Sequence, residues 1–326
     1  MKAIVQETYG GPETLEFRDI PAPVAGDDEV LVEVRAAALN AWDWHMMRGD
    51  PYLARLMTGA PRRPKRTVRG RDIAGVVAAI GRNVTGLRPG DEVYGDLGNA
   101  EGAFAEYASV PSGQVARKPA HLTFEQAAAV PLAGNTALMG LRDAAQVVPG
   151  QRVLVNGASG GVGTFAVQIA TSFGAHVTAV CSTRNADLMR ELGADEVVDY
   201  TSEDFTTGRY DVVFDLVGNR SLTGLRRAAG PRGAVVLSGG GVYRGASVAG
   251  PMGLIIRGHL TRPFVRQRVV VLGESPSTRN LDTLRELIEA GDVTPAIDRT
   301  YPLSGTADAL QYLETEHARA KVVLTM

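Results

Sequence analysis

The sequence predicts a two-part α/β protein, a β-rich and barrel-like unit followed by a doubly wound parallel sheet. Three observations lead there. The chain has 326 residues, room for two cores at ordinary domain sizes. Its first third alternates polar and apolar residues between Gly and Pro breaks, the pattern of short half-buried strands. From residue 151 onward, strand-like and helix-like runs take turns, the pattern of a parallel sheet with right-handed crossovers.

Composition narrows the class. Hydrophobic residues make up 44% and charged residues 21%, as in soluble globular chains. A net charge of -2 gives no electrostatic footprint for nucleic acid. Cys181 is the single cysteine, so no intrachain disulfide forms, and a cytoplasmic protein is expected. Residues 1–5 run straight into strand-like alternation without the basic, apolar and small-residue regions of a secretory leader. No uncharged apolar run is long enough to span a bilayer.

The β-rich part is expected to contain strands at 29–35, at 72–80, after the Pro89-Gly90-Asp91 turn, and at 103–110. Residues 124–132 and 135–145 read as helices. Residues 152–156 then form a buried strand, followed by a helix over 162–173 with Val162, Phe165, Ala166 and Ile169 on one face and Gly174 at its end. Further strands are expected at 176–181, 196–199, 211–215 and 234–238, with helices at 185–192 and 219–229. The last strand, 321–325, has no helix after it and is expected to return to the first unit.

Between the strand at 152–156 and its helix lies Gly157-Ala158-Ser159-Gly160-Gly161-Val162-Gly163. Spaced glycines alone say little, but these leave a strand, open a helix and sit inside a β-α-β unit. Glycine permits the tight turn and a close backbone approach to a pyrophosphate, which the free N–H groups of the helix start then bind. This predicts a dinucleotide site. About 20 residues on, an NAD site usually carries an acid for the ribose 2′-hydroxyl. Here Ser182, Thr183 and Arg184 stand there, with no acid before Asp187. Hydroxyls and a guanidinium suit a 2′-phosphate, so NADPH is the expected cofactor.

The chain resembles the zinc-independent medium-chain dehydrogenase/reductase superfamily, in its quinone oxidoreductase (zeta-crystallin-like) branch. The stretches that carry the resemblance are Lys2-Ala3-Ile4-Val5, Asn40-Ala41-Trp42-Asp43-Trp44, Gly70-Arg71-Asp72-Ile73-Ala74-Gly75 and Pro89-Gly90-Asp91-Glu92-Val93. They continue with Pro131-Leu132-Ala133-Gly134-Asn135-Thr136-Ala137, the glycine loop, Leu192-Gly193-Ala194-Asp195 and His317-Ala318-Arg319-Ala320-Lys321-Val322, covering essentially the whole length.

The resemblance implies a GroES-like catalytic domain of residues 1–122 completed by 295–326, a Rossmann domain of 123–294, a cleft between them, and a homodimer joined through Rossmann edge strands. It implies that Asn135 and Thr136 lie near the nicotinamide, and Tyr200 and Lys321 near the cofactor phosphates. Val217, Gly218, Ser238, Gly239, Gly240 and Gly241 are implied to line the adenosine and nicotinamide ends. Ala320 stands where members often have glycine.

Zinc-dependent members need Cys and His ligands. At the matching positions this chain has Asn40, Arg71 and the Pro131-Leu132 stretch, and none of its five histidines shows ligand spacing with another. No metal is expected. Without a Lewis acid, the expected reaction is reduction of an activated acceptor, a quinone or an α,β-unsaturated carbonyl, whose developing enolate oxygen needs hydrogen-bond donors. Asn40 and Tyr52 are the candidate donors, and Asp43 the candidate that orients neighbours or water. Each has another reading: Asn40 fixing a loop, Asp43 capping a helix, Tyr52 walling the pocket. Two other functions stay open, an enoyl-thioester reductase and an NADPH-binding protein with little turnover.

Two segments stand apart. Residues 252–271 mix apolar residues with Arg257, Arg262, Arg266 and Arg268, and are expected as a helix and strand at the cleft and dimer edge rather than a membrane face. The insert 53–69 holds Arg55, Arg62, Arg63, Lys65, Arg66 and Arg69 and is expected as a solvated loop.

Overall fold

The computed structural model describes residues 1–57, 61–239, 252–273, 275–316 and 318–326. The β-rich part opens with β1 (Lys2–Val5) and β2 (Glu16–Asp19), an antiparallel pair. It continues through β3 (Glu29–Leu39), α1 (Ala41–Arg48), α2 (Tyr52–Met57), β4 (Asp72–Ile80), β5 (Glu92–Asp96), β6 (Tyr107–Pro111) and β7 (Val115–Arg117). Two helices follow, α3 (Phe124–Ala128) and α4 (Pro131–Leu138). The alternating part runs β8 (Arg152–Asn156), α5 (Gly161–Ser172), β9 (His176–Cys181), α6 (Ala186–Glu191), β10 (Glu196–Asp199), β11 (Val212–Asp215), α7 (Leu222–Ala228), β12 (Ala234–Leu237), α8 (Met252–Thr261) and β13 (Arg268–Val271). The chain closes with α9 (Thr278–Glu289), β14 (Ile297–Pro302), α10 (Thr306–Thr315) and β15 (Lys321–Thr325).

Among the described residues, β8 to β13 form one parallel sheet of order β10-β9-β8-β11-β12-β13. Chain order reverses beside β8, so the connections leaving β8 and β11 part to opposite faces and open a crevice past their carboxyl ends. The other large sheet has the order β14-β15-β3-β4-β5-β7, with β6 also on β3. Its strands β14 and β15 come from the C-terminus, and β15 pairs antiparallel with β3. The alternation that predicted β3 reads out as designed by its pleat, with Val30, Val32 and Val34 buried.

Three readings need correction. Residues 124–132 are not one helix: Thr123 caps a short α3 that stops at Ala128, and Pro131 starts α4, because proline suits a first helical position and disfavours helix just before it. The helix at 135–145 is instead the end of α4 followed by a π-helical stretch, Met139–Ala145. The strand at 103–110 shortens to β6, since Phe104 and Ala105 turn to β1 while the N–H groups of Ala103 and Phe104 donate to the Gly70 and Arg69 carbonyls. The insert 53–69 also departs from expectation. Arg62, Arg63, Lys65 and Arg66 are exposed, but Arg69 is buried and paired with Glu101 at 2.7 Å.

Candidate active site

Two strand ends meet at the crevice. Asn156 closes β8 and Asp215 closes β11, and the Asn156 amide donates to Asp215 Oδ1 at 2.7 Å. The same oxygen accepts the N–H of Gly218 at 3.2 Å, while Oδ2 is buried without a hydrogen-bond partner. Burial raises the Asp215 pKa, against the pull of those donors.

The glycine loop leaves β8 from this point. Gly157 has φ +87°, and a β-carbon there would lie 2.5 Å from Val217 Cγ2. At Gly163 a β-carbon would lie 2.2 Å from the Gly157 carbonyl oxygen, so this glycine lets α5 pack on the loop. Gly160 is the N-cap of α5 and offers no side-chain cap. The first amides of a twelve-residue helix are therefore left for an anion, and no β-carbon at Gly157, Gly160, Gly161 or Gly163 obstructs its approach. Ala158 is buried, while Ser159 and Val162 are half-buried at the loop surface.

The C-terminal strand locks this loop to the β-rich part. The Ala320 N–H donates to the Ser159 carbonyl at 2.8 Å, and Ala320 takes φ +65°, a left-handed conformation that glycine adopts at lower cost. The next residue, Lys321, is buried beneath Gly161. Its ammonium donates to Asn40 Oδ1 at 2.5 Å and to Asp72 Oδ2 at 3.4 Å. Asn40 Nδ2 donates to Asp72 Oδ2 at 3.0 Å, and Asp72 Oδ1 accepts the Leu132 N–H at 3.0 Å. One buried carboxylate thus holds the start of α1, the start of α4 and the C-terminal strand. Burial pushes the Asp72 carboxyl up to about 6, with the Lys321 charge pulling the other way.

This geometry revises three side chains. The Asn40 amide takes part in this cluster, its nitrogen donating to Asp72 and its oxygen accepting from Lys321. Lys321 points at Asn40 and Asp72, and only its stem touches the glycine loop. Asp43 is buried and accepts the Asn40 N–H at 2.7 Å. That is half of a capping box at the start of α1. Tyr52, at the start of α2, is 46% exposed, so its phenol ring is the one of the three nominated groups open to solvent. Arg55 sits over the Tyr52 ring at 4.5 Å and over the Tyr9 ring at 4.4 Å.

The remaining expected site residues separate by depth. Asn135 and Thr136 are buried on α4. Asn135 donates to the Ser275 carbonyl at 3.0 Å and accepts from Asn280 at 2.7 Å, while Thr136 donates to the Leu132 carbonyl. Ser182, Thr183 and Arg184 follow β9 at the surface, where Arg184 donates to the Glu316 carbonyl at 3.2 Å. Tyr200 is 43% exposed beyond β10. Val217 and Gly218 follow β11, and Ser238 and Gly239 follow β12, all half-buried or exposed. Gly240 and Gly241 lie outside the described residues.

Comparison with known proteins agrees with this architecture. The alcohol dehydrogenase GroES-like domain matches residues 26–120, and a family described as zinc-binding dehydrogenase matches 192–324. A 2-methylene-furan-3-one reductase of Solanum lycopersicum is 37% identical over 99% of this chain and 79% of its own length. The chain belongs to the medium-chain dehydrogenase/reductase superfamily. Within it, an NADPH-dependent alkenal/one oxidoreductase of Arabidopsis thaliana is 36% identical over 99% of this chain and 79% of its own. The quinone oxidoreductase of Escherichia coli, solved with NADPH, superposes with a TM-score of 0.83 at 25% identity, covering all of both chains. The branch is that of the quinone and alkenal reductases.

In this superfamily member the zinc-ligand positions are filled by groups with other work. Arg71 makes a bidentate pair with Asp96 at 2.9 and 2.7 Å, buried on both sides. A guanidinium held in this pair has no lone pair to offer a metal ion. Among the described residues, no group of three His, Cys, Asp or Glu is placed to hold a metal ion. Sequence reasoning did not assign Asp72, Asp96, Asn156 or Asp215. Adjacent Arg71 and Asp72 at the head of an apolar strand were the available signal, because buried charges require partners.

Proposed function

We propose that this chain is an NADPH-dependent reductase of quinones or α,β-unsaturated carbonyls that works without zinc. Residues 123–294 would hold the dinucleotide, and residues 1–122 with 295–326 the acceptor. The observation that carries the reading is the glycine loop at the strand-order reversal, where contacts of 2.2 to 2.5 Å leave no room for side chains at Gly157 and Gly163. Its uncapped helix start suits a pyrophosphate, and Ser182, Thr183, Arg184 and Tyr200 suit the 2′ end. Bound there, NADPH supplies a hydride to the electron-poor carbon of the acceptor. The protein's own part is to orient and to stabilise charge. Tyr52, exposed and stacked on Arg55, is the donor we assign to the developing enolate oxygen. Asn40, Asp72 and Lys321 hold the wall of the site rigid across the joint between the two units.

A homodimer through β13 fits the same structure. β13 ends the six-stranded sheet, and α8 beside it exposes Ile256 and Leu260. Among the described residues no helix is long and apolar enough to cross a membrane. The single cysteine, Cys181, is buried, and we place the protein in the cytoplasm on its cysteine usage.

The test is NADPH oxidation against quinones, enones and enoyl thioesters after treatment with a metal chelator. Turnover of quinones or enones, unchanged by the chelator and cut at least tenfold by Tyr52→Phe, is expected. Turnover confined to thioesters would move the enzyme to another substrate class. NADPH binding without any turnover would leave a binding protein.

A further inference from the structure

β9 ends without an acid of its own, and Ser182, Thr183 and Arg184 follow it. The fold brings an acid there from the next strand. β10 pairs in parallel with β9, and Asp199, its last residue, stands in register with Cys181, the last of β9. Two residues past Cys181, the Thr183 hydroxyl donates to Asp199 Oδ2. Asp199 Oδ1 accepts the Thr201 N–H at 2.9 Å and the Thr201 hydroxyl at 2.7 Å. These donors, the Thr183 hydroxyl first, hold the Asp199 carboxyl below its ordinary range, so it is ionised at neutral pH. The bonds to Thr201 belong to the local turn. The bond to Thr183 crosses between strands and puts a negative charge against a residue that otherwise favours a phosphate.

We propose that Asp199 sets the dinucleotide preference of this site: its carboxylate accepts the ribose 2′-hydroxyl of NADH and repels the 2′-phosphate of NADPH, so the enzyme uses both. The inference rests on the dinucleotide reading above and adds the residue that tunes it. A phosphomonoester carries nearly two charges at neutral pH, and a carboxylate within a few ångströms of it is well inside a Debye length. The cation in the same turn, Arg184, donates to the Glu316 carbonyl at 3.2 Å. Attraction and repulsion are therefore both present at the 2′ end, and neither dinucleotide is excluded.

Dissociation constants for NADPH and NADH, measured by direct titration of the wild type, Asp199→Asn and Asp199→Ser, decide it. Asparagine keeps an acceptor for Thr201 and removes the charge; serine does so with a smaller group. Both variants should bind NADPH about tenfold more tightly at low salt and NADH no better, with the gain shrinking as salt rises. Thermal melting of each variant checks that the fold is kept. An NADH-to-NADPH ratio of dissociation constants that neither variant moves overturns the proposal, as does a wild type that binds NADPH but shows no saturable NADH binding. A wild type that binds neither dinucleotide overturns the reductase reading itself, and this inference with it.

Discussion

Asp43 and Asp72 share one buried neighbourhood and differ in what faces them. Asp72 touches the Lys321 ammonium, an amide and a backbone N–H, and burial lifts it only to about 6. Burial pushes Asp43 up to about 8, with Asp72 and Glu101 adding negative charge and the Asn40 N–H pulling the other way. A carboxyl whose proton is held more tightly in the fold stabilises the fold fully below its unfolded pKa, near 4, and that contribution drains as pH rises to about 8. Each tenfold change in proton affinity is worth about 1.4 kcal/mol, so the loss across this window is on the order of a few kcal/mol. Asp43→Asn, which still accepts the Asn40 N–H, should flatten that slope. Urea unfolding at several pH values checks it, and an unchanged slope would show that Asp43 is ionised in the fold. At this scale, the residues in the Asn40-Ala41-Trp42-Asp43 stretch were legible as special, but not their partners. A side chain's protonation follows from what packs against it, and Asp72 lies 32 positions from Asn40.

The helix α5 shows how an element outgrows its pattern. Periodicity placed Val162, Phe165, Ala166 and Ile169 on one face; the last three are buried and Val162 is half-buried. Every residue from Gly163 to Ala170 is buried as well, because α5 packs on the sheet on one side and on α4 on the other. An amphipathic reading presumes one wet face, and neighbours absent from the local sequence removed it. The start of α5 is tight for the same reason. Gly163→Ala would put a methyl 2.2 Å from the Gly157 carbonyl and 2.5 Å from that of Ala158. The expected cost is roughly 1–3 kcal/mol of stability, as for overpacked cores, together with weaker dinucleotide binding as the loop is forced outward. Calorimetry and dinucleotide titration of the variant measure both. Wild-type affinity in a destabilised variant would detach the loop's shape from its binding role.

On the scale of the whole molecule, the two sheets are not independent. A single apolar cluster runs from Ala36, Ala74, Tyr94 and Ala116 of the β-rich part through Val130 and Ala133 to Val153, Phe165 and Phe214 of the parallel sheet. The Tyr94 hydroxyl donates to the Leu281 carbonyl on α9 at 2.6 Å, and the Asp72 carboxylate to α4 and β15 adds a polar tie. Continuous burial of this kind makes partial unfolding costly, so the protein should melt as one unit. Both tryptophans, Trp42 and Trp44, lie in the β-rich part, whereas the helices that dominate circular dichroism lie mostly in the other. Fluorescence and circular dichroism should therefore report the same midpoint. A fluorescence transition several degrees ahead would show the units separating.

The sequence by itself determined the elements of the parallel sheet, the glycine loop and the superfamily, because each rests on residues close together in the chain: alternation, helix period and the backbone freedom of glycine. Only the tertiary structure decided where charge resides. That Asn40 meets Lys321, that Arg71 is held by Asp96, and that Asp199 arrives beside Thr183 all depend on strand order and register. Electrostatic interactions reach across any distance in sequence and only a few ångströms in space, so the local pattern that predicts a strand carries no record of them.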